Sequence, residues 1–303
     1  MILRPYRDEA DLEAILAITR AAVSANPQVA LYHPGDVIWQ RFRRPATTFD
    51  PARHIFLWQQ PDEPPSAFVW LDGEASIQVS PGWLANPDAI DALLAALEAH
   101  LRTTGATVIE TEAVAGDLVM EAALSRAGFA RGETTLVRFE HALATPLAPA
   151  TLPPGWRIES VTRETQLAQR IALHREVWFP SQVTLAAYLR LRADPRYDPD
   201  LDLVAVNELG DYGAYCICWH DAATRTGLFE PVGASNPYRR LGLSKAVLTE
   251  GLRRLRERGA THAYVNTGNV DVPPKFGAQA AQALYRAAGF AMVQHLCTWR
   301  KTL

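Results

Sequence analysis

The sequence predicts a mixed α/β fold, a mostly antiparallel central sheet flanked by helices, built twice in tandem. Three observations carry this. A proline-rich segment interrupts the 303 residues near their middle. The stretches on either side of it repeat the same order of helix-periodic and strand-like runs. Within the second copy three strand-like runs follow one another across short turns before the helices resume.

Composition narrows the class further. A hydrophobic share of 48% with 21% charged residues belongs to a folded chain and excludes disorder throughout. The net charge of −3 gives no domain-wide basic footprint, so no nucleic-acid partner is expected. No run of about 18 apolar residues is present, so no membrane helix is expected. The opening residues 1–13 carry charges where a secretory signal needs apolar ones. Three cysteines, Cys216, Cys218 and Cys297, cannot frame a disulfide scaffold, and a reducing, cytoplasmic setting is the expectation.

Taken in order, residues 2–5 precede a helix-periodic stretch at 12–23, and residues 156–159 precede a second at 167–178. In the second copy the strand-like runs are 201–206, 214–219 and 227–232. A helix-like run follows in each copy, 93–103 and 246–258, and each meets a Gly-Ala-Thr mark at Gly105 or Gly259, where a C-terminal glycine belongs. Strand-like 108–111 and 263–266 come next, then a short helix closing on Ala-Gly-Phe-Ala at 127–130 and 288–291, then a final strand at 135–139 or 293–299. The second copy carries about seven extra residues in the stretch 268–277. Between the copies, residues 141–155 hold Pro146, Pro149, Pro153 and Pro154 and read as a semi-rigid linker. The expected organisation is a first domain at 1–141, a linker at 142–155 and a second domain at 156–303.

The stretch from Glu230 to Lys245 holds the clearest chemistry. A strand ends near Ala234, Asn236-Pro237 turns the chain, and a helix begins around Leu241, with Leu241, Leu248, Leu252 and Leu255 as its buried face. Arg239, Arg240, Gly242 and Lys245 cluster at the helix start, with little bulk at Gly242 and Ser244. Free backbone N–H groups and the positive end of the helix dipole attract anions there, and glycine lets a phosphate come close. Such a start is either a pyrophosphate seat or a solvated basic turn. A P-loop and a Gly-x-Gly-x-x-Gly dinucleotide turn are both absent.

Arg239-x-x-Gly242-x-Ser244 resembles the Gln/Arg-x-x-Gly-x-Gly/Ala signature of the GCN5-related N-acetyltransferases (GNAT). Ala283-Leu284-Tyr285-Arg286-x-x-Gly289-Phe290 follows in that family's order and spacing. The resemblance is strongest over 201–299, and the tandem layout is similar to that of the mycothiol synthases. It implies acetyl-CoA as donor and a primary amine of a small molecule or peptide as acceptor, with no metal. The backbone of Val232, Gly233 and Ala234 would pair with the pantetheine arm. Arg239, Arg240, Leu241, Gly242, Leu243 and Ser244 would cradle the pyrophosphate, with Lys245 in the same turn. Tyr285 would protonate the departing thiolate. Ala278 stands where the family often has a cofactor-contacting Asn, and Asn266 or Asn269 would substitute.

Glu230 is the expected base for the amine, ahead of His220 and Asp221, while His174 reads as structural. Asp194, Asp198, Asp200 and Asp202 form a candidate acidic rim that would draw a cation. Cys216 and Cys218 share a strand face but lack a second pair of metal ligands, so they read as core. In the first copy, Ala85, Asn86 and Asp88 stand opposite Arg239, Arg240 and Gly242, and Leu124 stands opposite Tyr285. A carboxylate repels a pyrophosphate and Pro87 lacks an N–H donor, so the first domain is expected to bind no acetyl-CoA and to act as support. The alternatives are a non-catalytic acyl-CoA sensor and a transferase of another acyl group.

Overall fold

The computed structural model describes residues 1–270 and 278–303. Positions 271–277, where most of the expected insertion falls, lie outside the described residues. In chain order the first half forms β1 (Ile2–Pro5), α1 (Glu9–Ala25), α2 (Pro34–Phe42), α3 (Pro51–His54), β2 (Ile55–Gln59), β3 (Ala67–Leu71), β4 (Ala75–Val79), α4 (Pro81–Leu84), α5 (Pro87–Thr103), β5 (Val108–Val114), α6 (Leu118–Arg126) and β6 (Ala130–Ala142). The second half forms β7 (Trp156–Ser160), α7 (Leu167–Val177), α8 (Leu185–Ala193), β8 (Asp202–Asn207), β9 (Tyr212–Asp221), β10 (Thr226–Ala234), α9 (Leu243–Glu257), β11 (His262–Gly268), α10 (Ala278–Ala287) and β12 (Ala291–Thr302). The order of elements is the same in both, as the repeated marks predict, except for the four-residue helices α3 and α4 of the first half. No described helix is long and apolar enough to cross a membrane.

Two compact units result. The first comprises Met1–Val37, Phe49–Val137 and Val293–Leu303; the second comprises Ile38–Thr48 and Arg138–Met292. This differs from the linear division at 142–155. The last strand joins the first unit, because β12 pairs antiparallel with β5 from Leu296↔Val114 to Thr302↔Val108, and the division of the chain falls within β6.

Within the first unit the strands run β1-β2-β3-β4-β5-β12-β6. Ile90, Leu93, Leu94 and Leu97 of α5 pack on Val69, Ile77, Ile109 and Ala113, the i, i+3, i+4, i+7 spacing that gives a helix one apolar face. Within the second unit the order is β6-β11-β10-β9-β8-β7, with β7 to β10 an antiparallel meander. There α9 lies on β8, β9 and β10 through Leu243, Val247, Leu248, Leu252 and Leu255. The approach is close at Gly251, where a Cβ would stand 2.6 Å from both Cys218 Sγ and a ring carbon of Phe229. The helix ends at Gly259 with φ +91°, as a C-terminal glycine should. One expectation is corrected: Leu241 is 45% exposed, because α9 starts two residues later than its leucine spacing suggests, and Leu243 takes the buried position.

Candidate functional site

The site opens where two parallel strands of the second unit part. β10 and β11 are in register from Thr226↔His262 to Phe229↔Val265, and no further. At the same point the register of β10 with β9 shifts between Phe229 and Val232, so Glu230 and Pro231 form a bulge. Beyond it, Val232, Gly233 and Ala234 still face Cys216, Tyr215 and Ala214 of β9. One edge of β10 therefore stays in the sheet while the other leaves β11, and a strand edge without a partner offers backbone N–H and C=O groups to an extended ligand.

Tyr285 of α10 is buried in the same unit, its ring centroid 5.8 Å from that of Phe139 and 6.1 Å from that of Phe290. Burial, then the charge of Glu230, holds its phenol well above the usual range, so it is a protonated donor at neutral pH. Glu230 is half-buried, and its main-chain carbonyl accepts from Trp219 Nε1 at 2.7 Å. Its charge is felt by Tyr215 as well as Tyr285. Asn266 follows the last paired residue of β11, and its Oδ1 accepts from the buried Arg138 Nε at 2.9 Å.

Down the opening, the chain runs through a short turn at Asn236–Tyr238 to an extended Arg239 (φ −65°, ψ 155°). Arg240 and Gly242 then take left-handed backbone, φ +68° and +82°. A non-glycine residue there costs on the order of 1–3 kcal/mol, and such residues gather at ligand-binding turns. No side chain caps α9, so its first amides are unclaimed. A Cβ built on Gly242 would meet nothing within 4 Å. Arg239, Arg240, Leu241 and Lys245 are exposed around this space, Ser244 is half-buried and Leu243 is buried.

Two carboxylates that sequence reading missed hold the turn. Glu176 of α7 accepts from Ser235 Oγ at 2.9 Å and from the Asn236 amide at 2.8 Å. Asp211 accepts from the Tyr238 hydroxyl at 2.8 Å. Nothing local marks them, since Glu176 lies about 60 positions upstream of the turn it anchors.

Other candidates lie elsewhere. His220 and Asp221 face Gly227 and Thr226, at the end of the β9–β10 ladder away from the opening, so neither is placed to act as base. Three of the four aspartates of the expected acidic rim are closely ion-paired, while Asp200 is exposed with Arg258 Nη2 4.0 Å away. Asp194 pairs with Arg196 at 2.7 Å, Asp198 with Arg258 at 2.7 Å, and Asp202 is fully buried against Arg170 at 2.9 Å. Cys216 and Cys218 are buried with their sulfurs 3.7 Å apart. Among the described residues no group of three or more His, Cys, Asp or Glu could hold a metal ion. In the first unit, Asn86 Oδ1 caps α5 by accepting from the Ala89 amide at 3.2 Å, Asp88 sits in the first turn, and Leu124 is fully buried.

His174 is buried, with Nδ1 2.8 Å from the Tyr215 hydroxyl and the ring edge-on to Trp39. Burial, then the charge of Arg170, pushes its pKa down from 6.5 to about 3. Between these values the unfolded chain binds the proton and the folded unit does not, so stability is lost as pH falls through 6.5. At pH 5 the loss from this group is about 2 kcal/mol. Urea unfolding at pH 7 and pH 5 checks this: the change in stability between the two should differ by about 2 kcal/mol between the wild type and His174→Gln, and an equal change in both would contradict the assignment.

No protein-family model matches this sequence, and a search of curated proteins finds no relative. Solved structures do match over nearly the whole chain. A GCN5-related N-acetyltransferase from Sphaerobacter thermophilus is 17% identical with a TM-score of 0.62, covering 99% of this chain and 95% of its own. A tandem GNAT protein from the clavulanic acid biosynthesis pathway is 16% identical with a TM-score of 0.63, covering 99% and 98%. A GNAT-family acetyltransferase from Colwellia psychrerythraea is 13% identical with a TM-score of 0.61, covering 99% of each chain. The chain has the tandem fold of the GCN5-related N-acetyltransferases.

Proposed function

We propose that the second unit transfers the acetyl group of acetyl-CoA to a primary amine of a small molecule or peptide, by direct attack within a ternary complex. One observation carries the reading: β10 leaves β11 after Phe229, and its free edge leads to an uncapped helix start flanked by two arginines. The open space before Gly242 and the left-handed turn before it fit a pyrophosphate. Val232, Gly233 and Ala234 would hold the pantetheine arm along the strand edge, and Arg239 to Lys245 would hold the phosphates. When bound, acetyl-CoA supplies a thioester carbonyl open to attack.

The chain's own groups divide the remaining work. Glu230 accepts the proton that the amine must lose. Tyr285, held protonated, donates to the sulfur. The strand edge and the phosphate seat fix the two reactants relative to one another, which supplies most of the acceleration. The first unit, with its helix start already capped, serves as support rather than as a second acetyl-CoA site.

The test is release of CoA thiol from acetyl-CoA across a panel of primary amines. Saturable binding of acetyl-CoA with no release for any amine would point instead to an acyl-CoA sensor, and release from a different acyl-CoA to another transferase. Tyr285→Phe should lower kcat roughly tenfold and leave the KM for acetyl-CoA near its wild-type value. That is less than the usual contribution of a general acid, because a thiolate already leaves readily. An unchanged kcat would remove Tyr285 from the reaction.

A further inference from the structure

The first unit has an opening of its own. β4 and β5 are joined at one register pair, Ala75↔Thr111, and a cavity of about 50 Å³ lies between their far ends. Ile77 and Val79 of β4, Glu112 and Val114 of β5, Ala22 of α1 and Met120 of α6 are among its walls. One water needs roughly 10–15 Å³ of such space, so the cavity takes a body of a few heavy atoms.

Most polar groups at the cavity are already spent on holding its walls. Gln78 accepts from the Leu31 amide at 2.9 Å and donates to the Val79 carbonyl at 3.2 Å. Asp117 caps α6 by accepting from the Met120 amide at 3.1 Å. Glu112 is different. It is only 8% exposed, and one donor reaches it, the Thr135 hydroxyl at 3.3 Å. The nearby charge acting on it is another acid, Glu74, and among the described residues no cation pairs with it. A carboxylate has about four acceptor positions, and burying one without a counter-charge is costly.

We propose that this cavity binds a small primary ammonium ion, with the Glu112 carboxylate as its counter-charge and the apolar walls enclosing a short alkyl chain. A neutral alcohol would leave the carboxylate uncompensated, and a carboxylate ligand would repel it. A divalent cation needs several oxygen ligands, whereas the side-chain oxygens of Gln78 and Asp117 are already engaged by the Leu31 and Met120 amides. The site is separate from the acetyl-transfer reading of the second unit, and its test reads binding rather than turnover.

Burial, then the charge of Glu74, pushes Glu112 up to about 7, which gives the test a second axis. Ethylammonium chloride is added to the full chain and followed by ligand-observed NMR, with ethanol and sodium chloride as controls. Saturable binding is expected for ethylammonium alone. Lowering the pH from about 8 to about 6 should weaken it roughly tenfold, since Glu112 must first release a proton while the ammonium stays charged throughout. Glu112→Gln keeps the side chain's shape, removes a buried charge and should weaken binding at least tenfold without lowering the melting temperature. Absence of saturable binding, equal binding of ethanol, a flat pH response, or full affinity in Glu112→Gln would each overturn the proposal. If the Gln variant does not fold, the pH series on the wild-type chain decides the matter.

Discussion

Asp202→Ala is expected to destabilise the second unit by about 3–5 kcal/mol, the usual cost of removing one partner from a buried ion pair. Arg170 is fully buried, and its guanidinium lies over the Tyr215 ring at 3.7 Å from the centroid. Its Nε donates to Asp202 Oδ1 at 2.9 Å, while Nη1 and Nη2 have no hydrogen-bond partner. The other oxygen of Asp202 accepts from Tyr188 and, at 2.8 Å, from Tyr197. Removing the carboxylate leaves a buried cation with no counter-charge and two buried phenols with no acceptor. Urea unfolding should show a lower midpoint with an unchanged slope. Asp202→Asn, which keeps an acceptor but not the charge, should fall between. A loss below about 1 kcal/mol would mean that water relieves the guanidinium and that the pair is not sealed. The network also bears on the candidate site, since Arg170 shares α7 with Glu176, which ties down Ser235 and Asn236 ahead of the left-handed turn at Arg240 and Gly242.

Local signals made the order of elements legible. Gly105 and Gly259 stop helices that their leucine spacing had started, and the runs of β8, β9 and β10 alternate with turn residues, so neither needed distant information. What stayed hidden depends on pairing across the chain. The antiparallel register of β12 with β5 joins residues far apart in sequence, and nothing in 293–303 names its partner. The four aspartates read as a rim because the cations that neutralise Asp198 and Asp202 come from α7 and the residue after α9. Leu241 read as core because helical spacing does not register a left-handed Gly242 that delays the helix by two residues. Glu112 drew no notice in the sequence, since its burial follows from strands that part after a single register pair.

Gly242→Asp is expected to weaken acetyl-CoA binding at least a hundredfold, or about 2.7 kcal/mol, while leaving the fold almost untouched. The backbone there is left-handed at φ +82° with nothing within 4 Å of a new Cβ, and Asp is among the side chains that tolerate this region best. A carboxylate beside uncapped first-turn amides is also favourable in the absence of ligand. The melting temperature should therefore move by no more than a few degrees. Binding suffers for the same reason: the carboxylate occupies the space and the field that a pyrophosphate needs, and two like charges in contact near a protein surface oppose each other by several kcal/mol. Calorimetric titration with acetyl-CoA on both proteins separates the two effects. Gly242→Ala, which adds bulk and strain but no charge, should lose much less. If the Asp variant binds as tightly as the wild type, the phosphates are held elsewhere, and the acetyl-transfer reading loses the observation on which it stands.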